Sequence, residues 1–132
     1  LGADLIVAGP GSLYTSVLPN LLVPDIARAV AASPAAKVYV CNVATQRGET
    51  EAYTAGDHVA ALETHVGRGL FPVVLVNDNL RVNLESPGVE LVNTDFPPDA
   101  AYRVIEADLV DPTHPWRHDS DKLALALLRL LQ

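Results

Sequence analysis

The sequence predicts an α/β fold with an open, mostly parallel sheet and helices packed against it. Three short apolar runs, Leu5 to Ala8, Lys37 to Val43 and Phe71 to Val76, have the composition of strands buried on both faces. Segments with helical periodicity lie between these runs, and the connections are short. Strand–helix–strand units of this kind place consecutive strands side by side and parallel, so the three strands are expected to be neighbours in one sheet.

Each of the two intervening helices has sequence signals for its beginning and its end. The first is expected from Pro24 to Ala32, because proline is favoured in a first helical turn and the residue before Pro34 avoids helical backbone angles. The second follows a capping box in which Thr54 is the N-cap and Asp57 is the third helical residue. Gly67 is expected to end this helix.

The periodicity is weaker in the chain beyond Asn79. Val89 to Val92 and Tyr102 to Ala107 are predicted as two further strands. A last helix is expected to begin at Asp119 or Ser120, and its leucines cover more of its circumference than one sheet face can bury. We therefore expect this helix to pack on the sheet and to leave part of its apolar surface free.

Composition limits the classes of protein to which the chain can belong. With 132 residues, 49% of them hydrophobic, a single α/β domain over residues 1–132 is expected. The formal net charge of −7 disfavours a nucleic-acid partner, and no apolar run reaches the roughly 20 residues that cross a membrane. A single cysteine cannot form an internal disulfide and fits a cytoplasmic location. Because the chain begins with Leu1 and contains no methionine, we expect it to be part of a longer protein.

A loop rich in glycine and hydroxyl groups follows the first predicted strand. The run Gly9 to Ser16 contains two glycines, which permit tight turning, and three hydroxyl side chains. Such a loop before a helix can bind a phosphate or carboxylate through backbone N–H groups, and it is equally compatible with a plain strand-to-helix turn. It lacks the lysine of the triphosphate-binding loop, and Tyr14 replaces the third glycine of the dinucleotide fingerprint. Nucleoside triphosphates and NAD are therefore disfavoured as ligands.

Two more polar loops follow the second and third predicted strands. They run from Asn42 to Tyr53 and from Asn77 to Asn79. In an open parallel sheet the carboxyl ends of neighbouring strands lie at one edge, where ligands bind. The three loops together therefore predict a ligand site at that edge of the sheet.

The run Gly9 to Leu22 resembles the signature loop of the gluconeogenesis factor (YvcK-like) family. That family is related to the 2-phospho-L-lactate transferases (CofD-like) of deazaflavin cofactor biosynthesis. The agreement with the family is weakest from Leu80 to Tyr102. Three further stretches agree with the family in the same order. These stretches are Tyr39 to Asn42 with Thr45, Gln46 and Gly48 to Thr50; Tyr53 to Ala55 with Asp57 to Val59; and Arg117 to Asp119 with Asp121 to Ala124.

The resemblance implies a Rossmann-like three-layer fold with helices on both faces of the sheet. It also implies that the chain is the C-terminal part of a larger YvcK/CofD-like domain. For the YvcK-like branch it implies a regulatory protein that binds a UDP-sugar and affects carbon metabolism, cell-wall synthesis and cell shape. For the transferase branch it implies an enzyme that moves a phospholactyl group to a deazaflavin with a divalent metal. Tyr14, Thr15 and the run Thr45 to Thr50 favour the first branch, and the transferase is the alternative.

Two positions depart from the family pattern. Arg47 stands where proline is expected, and Gly56 stands where serine is expected. Neither change removes a donor that we assign to the ligand. The changes bear on the stiffness of the loops rather than on the predicted function.

The loops and the resemblance together assign ligand-binding residues, whereas no catalytic residue is assigned. The assigned groups are hydroxyls, amides, carboxylates, an imidazole and backbone N–H groups, which suit a small nucleotide-linked anionic ligand. They belong to Gly9, Gly11, Ser12, Tyr14, Thr15, Ser16, Asn20, Asn42, Thr45, Gln46, Glu49, Thr50, Tyr53, Asp57 and His58.

No metal site is assigned from the sequence. His58 and His65 are two helical turns apart, which separates them by more than about 10 Å. His114 and His118 lie in a proline-containing loop, where the helical zinc spacing does not apply. Cys41 lies in an apolar strand and is interpreted as a core thiol rather than a nucleophile. A divalent metal is expected as cofactor only if the transferase alternative holds.

The predicted sheet should have an unpaired edge. It is expected near Leu5 to Ala8 or near Val38 to Asn42, and an apolar edge is a template for another chain. Together with the apolar last helix, this edge favours self-association. The chain is therefore expected to be able to pair with other copies of itself in a homo-oligomer. The isolated chain is expected to fold poorly or to self-associate.

Overall fold

A four-stranded parallel sheet forms the centre of the computed structural model, which describes residues 2–132. The strands lie in the sheet in the same order as in the chain, and all three pairings are parallel. They are β1 (Leu5–Ala8), β2 (Ala36–Val40), β3 (Val73–Asn77) and β4 (Arg103–Ala107). The predicted α/β, Rossmann-like fold is confirmed.

Helical segments occupy both faces of this sheet. They are a π-helical turn (Leu13–Val17), α1 (Leu18–Leu21), α2 (Pro24–Ala32), α3 (Ala55–Val66) and α4 (Ser120–Arg129). The capping box of α3 is confirmed, because Asp57 N–H donates to Thr54 Oγ1 at 3.1 Å and Thr54 N–H donates to Asp57 Oδ2 at 2.9 Å. Gly67 ends α3 with a φ of 88°, as expected for a helix-ending glycine.

The alternation of side chains along the strands creates two hydrophobic cores. On β2, Val38 and Val40 point to one face of the sheet and pack with the helix α4. Tyr39 points to the other face, where the π-helical turn, α1 and α3 contribute buried residues. Because the central strands β2 and β3 are covered on both faces, they read in the sequence as apolar runs.

The segment after Ser12 is helical, whereas the sequence analysis treated it as loop up to the helix at Pro24. The buried residues of this segment recur with helical spacing, which the glycine, proline and hydroxyl content concealed. They are Leu13, Val17, Leu18 and Leu21.

The predicted strand Val89 to Val92 is wrong. Only one bridge forms there, an antiparallel one between Ala44 and Leu91. The segment crosses over the loop that follows β2, so that Thr45 N–H donates to the Glu90 carbonyl and Val92 N–H to the Val43 carbonyl, each at 2.8 Å. Just beyond it, the carbonyls of residues 93 and 95 accept the N–H groups of residues 55 and 56 at the start of α3. Its backbone groups are therefore satisfied outside the sheet.

The expectation of an unpaired edge at Leu5–Ala8 agrees with the described residues, in which β1 pairs with β2 alone. The alternative edge near Val38 to Asn42 is wrong, because β2 pairs with β1 on one side and β3 on the other. On α4 and just beyond it, Leu125, Leu128 and Leu131 are about half exposed. Of the helices in residues 2–132, none is long and apolar enough to span a membrane.

Gly9 is the residue that brings the end of β1 close to β2. Its φ is +87°, which disfavours any residue with a Cβ, and a Cβ placed there would lie 2.8 Å from the Val40 carbonyl oxygen. Gly48 has a similar φ of +75° but has open space around its missing Cβ. Both glycines therefore adopt a positive φ. Of the two, only Gly9 also lies too close to β2 to accommodate a Cβ.

Replacing each of these glycines with alanine should separate the two effects. We expect Gly48→Ala to lower the free energy of unfolding by about 1–2 kcal/mol, the cost of left-handed backbone for an L-residue. Gly9→Ala should cost about 1–3 kcal/mol more, because the backbone of β2 must also move. Urea unfolding of the two variants measures the difference. Equal losses would show that the contact with Val40 does not constrain the loop.

Candidate functional site

A cavity of about 1220 Å³ opens at the carboxyl edge of the sheet. Its walls are four segments, each of which follows the carboxyl end of one strand. Pockets for drug-sized ligands typically measure 300–1000 Å³, so this cavity can hold a ligand with several connected groups. The lining segments are Pro10–Ser12, Asn42–Arg47, residues 83–86 with Val89, and residues 112–123 in part.

The first wall is fixed by two hydrogen bonds to the loop after β2. Gly11 N–H donates to Asn42 Oδ1 at 3.2 Å, and Ser12 Oγ donates to Glu49 Oε2 at 2.6 Å. The Ser12 hydroxyl therefore faces a ligand as an acceptor. The first N–H groups of the helical segment 13–21 have no intrahelical acceptor, but the cavity lining on this side ends at Ser12.

Hydrogen bonds within the second wall already engage most of its predicted polar side chains. Thr45 Oγ1 accepts the Glu90 N–H at 3.0 Å, and Thr50 Oγ1 accepts the Gln46 N–H at 2.9 Å. Thr50 is completely buried, so its hydroxyl shapes the loop instead of meeting a ligand. The Gln46 amide oxygen is buried and has no hydrogen-bond partner among the described residues, which leaves it able to accept from a ligand.

Arg47 lies on the backbone of the third wall. A Cβ placed at Gly88 would lie 2.8 Å from Arg47 Nε, so the guanidinium packs directly against the backbone at Gly88. Within residues 2–132, no carboxylate lies within 4.0 Å of the Arg47 guanidinium. Arg47 therefore brings an unpaired positive charge to the cavity.

Asp111 organises the fourth wall. Its Oδ1 accepts the N–H groups of Thr113 at 2.8 Å and His114 at 3.2 Å, and its Oδ2 lies 3.3 Å from Arg117 Nε. These hydrogen bonds, that of Thr113 foremost, lower the pKa of the Asp111 carboxyl. The loop 111–118 is therefore held in one shape, with Trp116 and Arg117 on the cavity.

His118 connects the fourth wall to the end of β2. Its Nε2 lies 3.2 Å from the Cys41 carbonyl oxygen, and burial lowers the pKa of the imidazole. His118 is therefore neutral at pH 7, with Nε2–H as the donor. Burial also raises the pKa of the Cys41 thiol to about 12, and the side chain is completely buried. The interpretation of Cys41 as a core thiol is confirmed.

Three predicted ligand residues form an aromatic cluster outside the cavity lining. The Tyr14 and Tyr53 hydroxyls lie 2.9 Å apart, and the Tyr53 and His58 rings meet edge to face at 5.6 Å. His58 is completely buried, its Nδ1 lies 2.8 Å from the Thr54 carbonyl oxygen, and burial lowers its pKa. Asp57 is exposed and caps α3. These side chains stabilise the packing of the helical segment 13–21 on α3.

Three further predicted residues lie at the outer edge of β1. A separate groove of about 360 Å³ is lined there by Gly9, Ser16 and Asn20. Asn20 Nδ2 donates to the Ser16 carbonyl at 2.7 Å, and Thr15 is exposed. The structure therefore brings one subset of the predicted residues to the cavity. That subset is Gly11, Ser12, Asn42, Thr45 and Gln46, with Glu49 bonded to Ser12.

The sequence analysis did not assign five cavity residues that carry a titratable side chain or an aromatic ring. They are Arg47, Glu85, Trp116, Arg117 and His118. The loop after β4, which was predicted as the strand Tyr102 to Ala107, obeys the same carboxyl-edge rule as the three assigned loops, and that rule would have found the last three of these residues. Among residues 2–132, no group of three or more His, Cys, Asp or Glu side chains is placed to hold a metal ion.

Comparison with known proteins identifies relatives of nearly the whole chain. The family profile described as "2-phospho-L-lactate transferase CofD" matches residues 1–125. The gluconeogenesis factor of Bacillus subtilis (strain 168) is 46% identical over 98% of this chain and 44% of its own length. That of Halalkalibacterium halodurans is 44% identical over 96% of this chain and 42% of its own length. The chain thus spans less than half the length of these relatives.

A solved structure agrees with these sequence relatives. A crystal structure from Bacillus halodurans, described as a member of the UPF0052 family, superposes with a TM-score of 0.83 at 42% identity. The superposition covers 96% of this chain and 43% of the other. A second crystal structure from the same organism gives a TM-score of 0.87 with the same identity and coverage. Sequence and structure therefore agree that the chain belongs to the CofD family, whose members similar to it include the gluconeogenesis factors.

Proposed function

We propose that the cavity binds a nucleotide-linked anionic ligand of the UDP-sugar type. The observation that carries the proposal is the unpaired Arg47 guanidinium on a cavity of about 1220 Å³ at the carboxyl edge of the sheet. Two arginines, Arg47 and Arg117, line the cavity together with one carboxylate, Glu85, whereas the chain as a whole has a formal net charge of −7. An anionic ligand fits this local excess of positive charge.

The hydrogen-bonding groups of the cavity support a ligand with both phosphate and sugar. The guanidinium groups of Arg47 and Arg117 line the cavity and suit phosphate oxygens. The Ser12 hydroxyl, held by Glu49, and the unpartnered Gln46 amide oxygen are acceptors, which suit sugar hydroxyl donors. Phosphate and sugar therefore have separate partners in one cavity.

We propose a binding and regulatory role rather than catalysis. The Ser12 hydroxyl donates to a carboxylate, the Cys41 thiol stays protonated, and the His118 Nε2–H meets a backbone carbonyl. None of these contacts pairs a nucleophile with an imidazole base. The relatives are named gluconeogenesis factors, which supports a regulatory role in carbon metabolism. The effect on cell-wall synthesis rests on the family resemblance alone, and the cytoplasmic location rests on the single cysteine.

Replacing Arg47 with glutamine tests the anion site. We expect UDP to bind the Arg47→Gln variant up to about fivefold more weakly, the range of about 1 kcal/mol for a solvent-exposed ion pair. The salt dependence of binding should also decrease, since one screened charge is lost. Isothermal titration calorimetry with UDP at two salt concentrations measures both effects.

Arg129→Gln is the matched control for this experiment. Arg129 ends α4 and is exposed away from the cavity lining, so the same charge is removed at a different place. Binding that is equally weakened in both variants would mean that only the net charge matters. An unchanged affinity in Arg47→Gln would remove the observation on which the proposed function rests.

A transferase of phosphorus-containing groups is the second candidate, because the matching family profile is described as a transferase. That activity would require a divalent metal, and residues 2–132 contain no cluster of three metal-ligating side chains. For a binding and regulatory protein without metal chemistry, we expect UDP affinity to be the same with magnesium and with EDTA. Calorimetry under both conditions measures this. Strict dependence on magnesium, with turnover of a guanylyl phospholactate donor, would favour the transferase.

A further inference from the structure

Trp116 is a large apolar side chain that the structure leaves open to the cavity. It is the sole tryptophan of the chain, it is 54% exposed, and it lines the fourth wall. Leaving an indole this open to water forgoes the hydrophobic stabilisation that its burial would give. The exposed indole lies in the cavity already described, where a bound ligand can cover it.

The loop around Trp116 fixes the orientation of the indole. The His114 ring meets it edge to face, with 5.2 Å between the ring centroids and 86° between the ring planes. His114 is itself held, because Arg117 Nη2 lies 3.2 Å from His114 Nδ1 and Asp111 accepts the His114 N–H. A ring that is oriented before the ligand arrives loses little conformational entropy on binding.

Three apolar side chains flank Trp116 on the fourth wall, which also carries the polar residues Thr113, Arg117, His118 and Ser120. Pro112, Pro115 and Leu123 line the same wall as the indole. Ser12 and Gln46 lie in the first and second walls. A nucleotide base has two apolar faces and suits the wall around the indole, whereas a sugar carries hydroxyl groups around its ring and suits the other walls.

We propose that Trp116 is the platform on which the base of the bound nucleotide stacks. This inference rests on the proposed function, and it orients the ligand within the cavity. The base lies on the fourth wall, and the phosphate and sugar groups extend toward Ser12, Gln46 and Arg47. Trp116 thereby makes the site prefer ligands with a base over sugar phosphates that lack one.

Tryptophan fluorescence tests the stacking directly, because Trp116 is the sole tryptophan of the 132-residue chain. We expect UDP to quench this fluorescence and to protect the indole from acrylamide, because the base covers its exposed face. Glucose 1-phosphate, which carries sugar and phosphate but no base, should cause neither change. Calorimetry on the same samples gives the two affinities. Bound UDP with unchanged fluorescence, or equal quenching by glucose 1-phosphate, would overturn the inference.

Two variants at position 116 and one control complete the test. Trp116→Ala should weaken UDP binding by about five- to 150-fold, the range for loss of one base–aromatic stack. Trp116→Phe should retain most of the affinity, and glucose 1-phosphate should bind all forms alike. Leu128→Ala removes a side chain that is 57% exposed on α4 and should change neither affinity. An unchanged UDP affinity in Trp116→Ala would overturn the inference alone, whereas a parent chain that binds neither probe would overturn the proposed function too.

Discussion

The parallel pairing of the four strands is the constraint on which the rest of the structure depends. It places the four strand ends at one edge, so that segments far apart in the chain become the walls of one cavity. Hydrogen bonds then join these walls across the edge, as between Gly11 and Asn42 or between His118 and the Cys41 carbonyl. Gly9 allows the first of these loops to come close, because a Cβ there would meet the Val40 carbonyl. The cavity is thus a consequence of strand pairing more than of any single motif.

Local signals in the sequence were sufficient for most elements of the fold. The capping box at Thr54 and Asp57, the proline at the start of α2 and the three apolar strand runs each depend on neighbouring residues only. The failures have a different origin. Val89 to Val92 has the composition of a strand, yet its backbone pairs with the loop after β2, which no local pattern specifies. Glycine, proline and hydroxyl residues concealed the helical spacing of Leu13 and Leu21, because those residues are also typical of loops.

The candidate site was predictable at the level of loops but not of side chains. The carboxyl-edge rule selected the right loops after β1 and β2, whereas burial and hydrogen bonding decided which side chains face the cavity. Thr50 and His58 are polar residues in those loops or next to them, and both are completely buried by the fold. Arg47 shows the opposite case. The sequence marks it only as a departure from the family pattern, and its role emerges from the contact with Gly88, 41 positions along the chain.

A titration of the ¹⁵N-labelled chain with UDP, followed by nuclear magnetic resonance, tests the central claim most directly. If the cavity at the carboxyl edge is the ligand site, the backbone signals of Gly11, Ser12 and Arg47 and the indole signal of Trp116 should shift together and saturate with one affinity. The groove at the outer edge of β1 serves as an internal control, because Ser16 and Asn20 line it and not the cavity. Shifts confined to Ser16 and Asn20, with unchanged signals in the cavity, would contradict the account.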